Sequence, residues 1–359
     1  MRIVVATDSV GSLTSAQAGA AVASGWPAED TTVVPLGESG AGAIQALADA
    51  VGGVVAPGVV GDRLSAVLAS ADLAAVGLGP PDATDGPLPY GVTSRPLGEA
   101  LAELLRAHPA PRVVIDLAGL DTHDGGAGLL AALGVTAEVR LDLGVAGLTG
   151  LSRLDLAPAF DLLRGAELVG LVPSAERDRP LLGLRGITAA RGRAGRVGGA
   201  QVGTDADRLL ATDGVLARLA DLAGVGDQPG LGACGGTALA VRALGGRLVT
   251  GPELGAELTG LADTVARADL VVTGCSVFDF AHRGGGVVAE VARIAERALR
   301  PCVVVAGEVR IGGREMRTMG IEAAYAVREP VLDDVPSRAD VDGGDLYRLG
   351  ARVARTWRW

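Results

Sequence analysis

The chain contains no lysine, so each of its 32 basic residues is an arginine. Aromatic residues make up only 3%, which leaves little material for stacking bases or sugar rings. Cys234, Cys275 and Cys302 show no CxxC spacing and are too few for a disulfide framework, so reduced, buried thiols are expected. His108, His123 and His282 are isolated, and no metal-ligand spacing occurs. No apolar run approaches the roughly 18 residues of a membrane span. The first apolar stretch ends at Asp8, too soon for a signal peptide. These absences lead to the expectation of a cytoplasmic protein.

What is present narrows the classes further. At 359 residues the chain is long enough for two domains, each with its own core. A formal charge of −10 argues against nucleic acid or an anionic membrane as partner. A small anionic substrate is compatible with it only where arginine is concentrated locally. The 55 glycines fit tight helix packing and many turns, or a compositional bias of the source genome.

Short β-branched runs alternate with Ala/Leu-rich helical stretches. Strands are expected at Ile3–Val5, Val33–Val34, Val113–Ile115, Leu168–Leu171, Leu270–Thr273 and Cys302–Ala306. Helices are expected over Thr14–Ser24, Ala41–Asp49, Leu97–Ala107, Gly125–Ala132, Ala206–Ala223, Gly235–Ala243, Gly255–Ala266 and Val287–Ala298. This alternation predicts an α/β fold with a mainly parallel sheet. Gly77–Gly91, Arg177–Gly203 and Asp279–Gly286 read as loops, being rich in Gly with Pro or Arg. The expected plan pairs residues 1–79 with 287–359 in a Rossmann-like domain, interrupted by a second α/β domain over 80–286.

Six segments carry groups suited to chemistry. Asp8-Ser9 follows the first strand, and Ser12 or Thr14 caps the next helix, so polar groups and free N–H donors stand where an anion binds. An ordinary capped βα turn explains the same residues. In Asp121-Thr122-His123-Asp124-Gly125-Gly126-Ala127-Gly128, carboxylates and a hydroxyl at a Gly-rich helix start suit Mg²⁺ or phosphate, or Asp124 is a plain N-cap. Arg185 lies in a Gly-flanked loop, with Arg177, Arg179, Arg191, Arg193 and Arg196 nearby. These guanidiniums either clamp a carboxylate or phosphate or simply solvate the surface. Gly230-x-Gly232-x-x-Gly235 matches a dinucleotide fingerprint, but the turn Asp227-Gln228-Pro229 precedes it where a strand is required, so that reading is discounted. The loop either seats a phosphate on the following helix or serves backbone geometry alone. Thr273-Gly274 closes a strand, and Asp279 beyond it is a candidate general base or metal ligand. Glu38 follows the strand at Val33–Val34.

These segments resemble, in order along the chain, the motifs of the bacterial type-1 glycerate kinases. The opening Asp8-Ser9-Val10-Gly11-Ser12-Leu13 is similar to Asp-Ser-Phe-Lys-Gly-Ser-Leu, with Val10 in place of Phe-Lys. Leu120 to Gly128 resembles Ser-Ala-Thr-Asn-Asp-Gly-Gly-Ala-Gly within a Gly-Gly-led motif, with Leu120 and His123 replacing Ser and Asn. Arg179 to Gly186 resembles Asn-Pro-Leu-Leu-Gly-Pro-Arg-Gly, and Pro229 to Gly236 resembles Pro-Gly-x-Gly-Ala-x-Gly-Gly. Ala268 to Asp279 resembles Ala-Asp-Leu-Val-Ile-Thr-Gly-Glu-Gly-x-x-Asp, with Cys275 for the Glu, and Gly285-Gly286 replaces a later Gly-Lys pair. Pro35 to Gly42 stands at Pro-x-Ala-Asp-Gly-Gly-Glu-Gly, with Ala41 for the Glu.

The resemblance implies a Rossmann-like domain interrupted by an inserted domain, with the site in the cleft between them. It implies transfer of the γ-phosphoryl of ATP to D-glycerate or a related hydroxy acid with Mg²⁺. On that reading Asp279, Asp124 and Asp8 are catalytic, and Asp124 and Asp279 hold the metal. Ser9, Ser12, Glu38, Thr122, Gly125, Gly126, Arg179, Arg185, Gly232, Gly235, Thr273 and Gly274 contact substrate or phosphate. The expected partner is a small glycerate-like anion, and a homodimer is compatible. The alternative is an inactive homologue that binds a ligand or a protein, since the missing lysines and glutamates remove several charge contacts.

Overall fold

The computed structural model describes residues 1–60, 63–79, 88–119, 121–194, 196–197, 200–201, 206–329 and 341–358. Two compact units result. The first comprises Met1–Glu38, Gln45–Gly53 and Gly251–Trp359, and the second Ser39–Ile44 and Val54–Thr250. The first and last parts of the chain thus share a unit. Its boundaries fall near 38 and 251, rather than at 79 and 287, for a reason visible in the strands. Val54–Val60, Arg63–Ala69 and Leu73–Leu78 form an antiparallel meander on the second sheet, whereas Leu270–Phe278 pairs with Arg2–Thr7 on the first.

The first unit holds a parallel five-stranded sheet in the order Ala323–Arg328, Cys302–Val309, Leu270–Phe278, Arg2–Thr7, Asp30–Pro35. Alternate side chains feed two cores. Val4, Ala6, Val271, Val304 and Ala306 pack with Val287, Val288 and Val291 of helix Val287–Arg297. Ile3, Val5, Val272, Val303 and Val305 pack with Val22 of helix Ser15–Ala23 and with Leu346 and Val353 of helix Gly343–Thr356. Covering both faces is why these strands read as continuous apolar runs. Each such valine, leucine or isoleucine side chain contributes about 1.5–3 kcal/mol on burial.

The second unit holds a six-stranded sheet ordered Arg247–Val249, Glu167–Leu171, Arg112–Asp116, Leu73–Leu78, Arg63–Ala69, Val54–Val60. The first four strands pair in parallel, and Arg63–Ala69 pairs antiparallel with both of its neighbours. Leu97, Leu101 and Leu105 of helix Arg95–Ala107 share its core with Leu129 and Leu130 of helix Ala127–Ala132 and with Leu239 and Val241 of helix Thr237–Ala243. The meander escapes the strand pattern because its outer member carries Pro57-Gly58 and stays largely exposed, as an edge strand can.

Backbone geometry accounts for other shifts. The helix expected from Gly125 starts at Ala127, because Gly125 and Gly126 sit at φ +63° and +79°. The one expected over Gly255–Ala266 is two helices, Gly251–Thr259 and Leu261–Ala266, divided at Gly260 with φ +60°. Within the region read as the loop Arg177–Gly203, residues Ile187–Ala194 form a helix. Residues 195, 198–199 and 202–203 of that region, residues 80–87 of the Gly/Pro-rich segment, and Leu120 lie outside the described residues. Among the described residues, no helix is long and apolar enough to cross a membrane.

Candidate functional site

In the first sheet the chain moves from Arg2–Thr7 to Asp30–Pro35 on one side, and Leu270–Phe278 lies on the other. Arg2–Thr7 is therefore where strand order reverses, and open α/β sheets bind ligands beyond the carboxyl ends of the strands at such a point. Asp8 and Ser9 follow the carboxyl end of this strand, and Asp279 follows the carboxyl end of Leu270–Phe278. Glu38 lies a few residues past Asp30–Pro35.

The Asp8 N–H donates to the Gly274 carbonyl at 3.0 Å. Its carboxylate oxygen Oδ1 accepts from the Ser9 N–H at 2.7 Å and from the Ser9 hydroxyl at 3.3 Å. Burial pushes the Asp8 carboxyl up to about 6, and the charge of Glu38 adds to that, against the Ser9 bonds and His282, which pull it down. Asp279 caps the turn Phe280–Gly284: its Oδ1 accepts from the Ala281 N–H at 3.0 Å and lies 3.2 Å from His282 Nδ1. A Cβ on Gly286 would lie 3.9 Å from both Glu38 Oε2 and His282 Cδ2, which places those two side chains around the Gly286 backbone. Ser12 is exposed at the tip of the Val10–Leu13 turn, and Thr14 rather than Ser12 caps the helix, by accepting from the Gln17 N–H at 3.3 Å.

Thr273 and Gly274 take a different place from the one expected. Both are buried within the strand, and a Cβ on Gly274 would meet the Val305 carbonyl oxygen at 2.7 Å. The Gly274 carbonyl accepts the bond from Asp8 and so positions that residue. Cys275 is a buried free thiol, pushed well above its ordinary range by burial and by the charges of Asp8 and Asp279. It keeps its proton there and supplies no negative charge.

The second unit also departs from expectation. Asp124 is wholly buried and its oxygens are committed to the fold. Oδ2 accepts from the Ser94 N–H at 2.7 Å, the Ser94 hydroxyl at 2.9 Å and the Gly128 N–H at 3.1 Å, while Oδ1 accepts from the Gly126 N–H at 3.0 Å. With no exposed oxygen, it is a structural cap of the helix start and not a metal or substrate ligand. Gly125, Gly126, Gly232 and Gly235 are likewise buried. A Cβ on Gly235, which sits at φ +67°, would overlap the Thr122 carbonyl oxygen. One on Gly232 would overlap the Pro180 carbonyl oxygen. These glycines let two helix starts and a loop pack backbone against backbone.

Thr122 is buried as well, its hydroxyl 3.0 Å from that of Thr237. Its carbonyl accepts from Arg191, whose guanidinium also pairs with Asp121 at 2.9 Å. His123 lies 3.1 Å from the Thr188 hydroxyl through Nε2. Burial, aided by the Arg191 charge, lowers its pKa to about 4 and keeps the ring neutral. Arg179 is half-buried and Arg185 exposed. Of the other arginines in this cluster, Arg193 and Arg196 have side chains outside the described residues. Two further polar residues have no mark in the sequence. The Ser276 hydroxyl meets the Ser9–Gly11 turn, and Asp116 is a buried carboxylate that accepts from the Gly40 and Ala118 N–H groups. Neither has a spacing signal, because most of their partners lie far away in the chain.

Fold and site together define an open α/β protein that presents carboxylates and a serine at the switch point of a parallel sheet. The Glycerate kinase family model matches residues 3–358, and the chain belongs to that family. The glycerate kinase of Bacillus subtilis is 30% identical over 358 residues, which span 91% of this chain and 90% of that protein. An uncharacterized protein of Mycobacterium tuberculosis is 32% identical over 381 residues, covering 99% and 91% of the two chains. The solved structure assigned as glycerate kinase 2 from Salmonella typhimurium LT2 superposes with a TM-score of 0.78 at 26% identity, covering 99% of this chain and 98% of that one.

Proposed function

We propose that the chain is an ATP-dependent kinase that phosphorylates D-glycerate or a closely related small hydroxy acid. The observation that carries this reading is the place of Asp8, whose carboxylate stands beside the Ser9 hydroxyl at the switch point of the first sheet in a chain of the glycerate kinase family; burial also raises its pKa, to about 6. A general base works best with a pKa near the operating pH. Asp8 therefore suits removal of the proton from the attacking hydroxyl better than it suits a purely electrostatic role, and it takes the role of base expected of Asp279 from the sequence. Its Oδ1 is committed to Ser9, while Oδ2 has no hydrogen-bond partner among the described residues. The Ser9 hydroxyl beside it donates to the substrate or to Asp8.

The donor set on this edge is hard oxygen, as Mg²⁺ requires. The charge of Glu38 on Asp8 is the kind of repulsion that a cation relieves. Among the described residues, no three His, Cys, Asp or Glu side chains are grouped to hold a metal ion. Mg²⁺ keeps several waters and relies on one or two carboxylates and the substrate phosphates. Glu38 and Asp279 would hold it, and when bound it would supply positive charge that neutralises the transferring phosphate. Asp279, kept in place by the Ala281 N–H and His282, orients that charge and does not itself move a proton.

The second reading is a homologue that binds ligand without turnover. Buried, protonated Cys275 favours it, because a neutral thiol stands where the resembled motif carries a carboxylate. An ADP-release assay with ATP, Mg²⁺ and D-glycerate separates the two. Glycerate-dependent ADP release supports the kinase. Calorimetric binding of nucleotide without release supports the second reading, and neither binding nor release at millimolar ATP rejects the kinase.

A further inference from the structure

We propose that Ser276 is a positioning residue that holds the Ser9–Gly11 turn in register with the strand carrying Asp279. The Ser276 hydroxyl accepts from the Gly11 N–H at 3.0 Å and donates to the Ser9 carbonyl at 3.4 Å. One oxygen thus ties two points of the turn to the neighbouring strand, across 265 and 267 positions of sequence.

The two sides of this link differ in rigidity. Ser276 lies in the strand Leu270–Phe278, between residues paired with Ala306 and Glu308 of the next strand. A Cβ on Gly307 would meet the Ser276 carbonyl oxygen at 2.6 Å, so the two backbones are in close approach. The hydroxyl therefore springs from a backbone that the sheet immobilises. The turn is held differently. Buried Val10 anchors its back, and Val10 and Leu13 exchange backbone bonds at 3.0 and 3.2 Å. Those contacts hold one end of the two peptide planes between Ser9 and Gly11, through the Val10 N–H and carbonyl, and Ser276 holds their other end, through the Ser9 carbonyl and the Gly11 N–H. Gly11 adopts φ +59°, a conformation of the turn that glycine takes without a steric cost.

The consequence reaches the reacting groups through Ser9. Its carbonyl is engaged by Ser276, and its N–H is engaged by Asp8 Oδ1 at 2.7 Å. With both backbone groups of Ser9 committed, rotation of its peptide planes is blocked, and the Asp8 carboxylate keeps one orientation. In the motif that this strand resembles, a glycine stands at this place, and a glycine cannot make either bond. The clamp is thus built from this chain's own side chain. The proposal deepens the kinase reading and rests on it for its kinetic part.

The test compares Ser276→Ala, Ser276→Gly and Ser276→Thr in the full chain by two measurements. Amide hydrogen exchange of the 9–13 segment reads the clamp without reference to activity, and Gly11 exchange is expected to rise about tenfold in Ser276→Ala and Ser276→Gly. Ser276→Thr, which keeps the hydroxyl, should restore protection. In the ADP-release assay, kcat should fall about tenfold in the Ala and Gly variants with KM for ATP unchanged, and recover in the Thr variant. Unchanged Gly11 exchange in Ser276→Ala overturns the proposal. So does faster exchange with unaltered kcat, because the bond would then be structural only. Should the unmodified chain release no ADP, the kinase reading falls, and Gly11 exchange alone upholds or overturns the clamp.

Discussion

The N–H of Asp8 donates to the carbonyl of Gly274 at 3.0 Å. A residue just beyond one strand is thereby fixed to a residue inside the adjacent strand. Parallel pairing brings Thr7 opposite Gly274, so the next residue continues the ladder and its side chain is carried to the edge of the sheet. The candidate base owes its place to this register and its raised pKa to the burial that follows.

Turnover should therefore depend on Asp8 ionisation. With the carboxyl at about 6, kcat/KM for glycerate should rise with pH through about 6 and level off above it. Asp8→Asn should lower kcat by at least about a hundredfold. A profile flat from pH 5 to 8 would exclude Asp8 as the base.

Stability should change in the opposite direction. The folded pKa of Asp8 lies above its ordinary value of 3.8. The folded state thus holds the proton more tightly, and this group's contribution falls as pH rises from about 4 to about 6 and stays low above that. Asp8→Asn should raise the urea midpoint at pH 7 and leave it nearly unchanged at pH 4. An equal shift at both values would show that charge is not the cause.

Asp124 should behave as a structural residue. Asp124→Ala leaves the Ser94, Gly126 and Gly128 donors without their acceptor in a closed interior. Urea unfolding should report a loss of about 3–5 kcal/mol. A stable variant with impaired turnover would instead restore it to the chemistry.

Two glycines should respond oppositely to alanine. Gly235→Ala forces a Cβ against the Thr122 carbonyl at φ +67° and should prevent accumulation of folded protein. Gly214 lies in helix Ala206–Leu222 with open space where a Cβ would sit, and should gain about 0.5–1 kcal/mol as alanine. Thermal melts of the pair check this, and a Gly235→Ala protein that melts like the unmodified chain would refute the close packing.

The thiols should be silent in the native protein. Cys234, Cys275 and Cys302 are buried and burial raises all three, Cys302 to about 12. A chromogenic disulfide reagent at pH 8 should titrate no thiol in native protein and all three after denaturation.

Local patterns were enough to place much of this molecule. Apolar β-branched runs such as Val271-Val272 and Val303-Val304-Val305 mark buried parallel strands, because a strand covered on both faces has no polar side to show. Asp8, Ser9, Glu38 and Asp279 are legible because each stands just past such a run, and the carboxyl ends of parallel strands share one edge. The outer meander strand Val54–Val60 has no such mark, since an edge strand tolerates Pro57 and exposed positions.

Tertiary structure alone decided the remainder. Whether Gly125, Gly126 and Gly235 meet a phosphate or another backbone depends on what lies opposite them, which spacing along the chain does not encode. Asp124 reads the same as cap or ligand until Ser94 closes over it from thirty positions away. Ser276 gains its meaning only from Ser9 and Gly11, which the parallel pairing of Arg2–Thr7 with Leu270–Phe278 brings beside it. Sequence determined which strands are buried and which polar groups stand at their ends. The fold determined which of those groups are buried and bonded into the protein and which stand exposed, because hydrogen bonds and burial depend on neighbours in space.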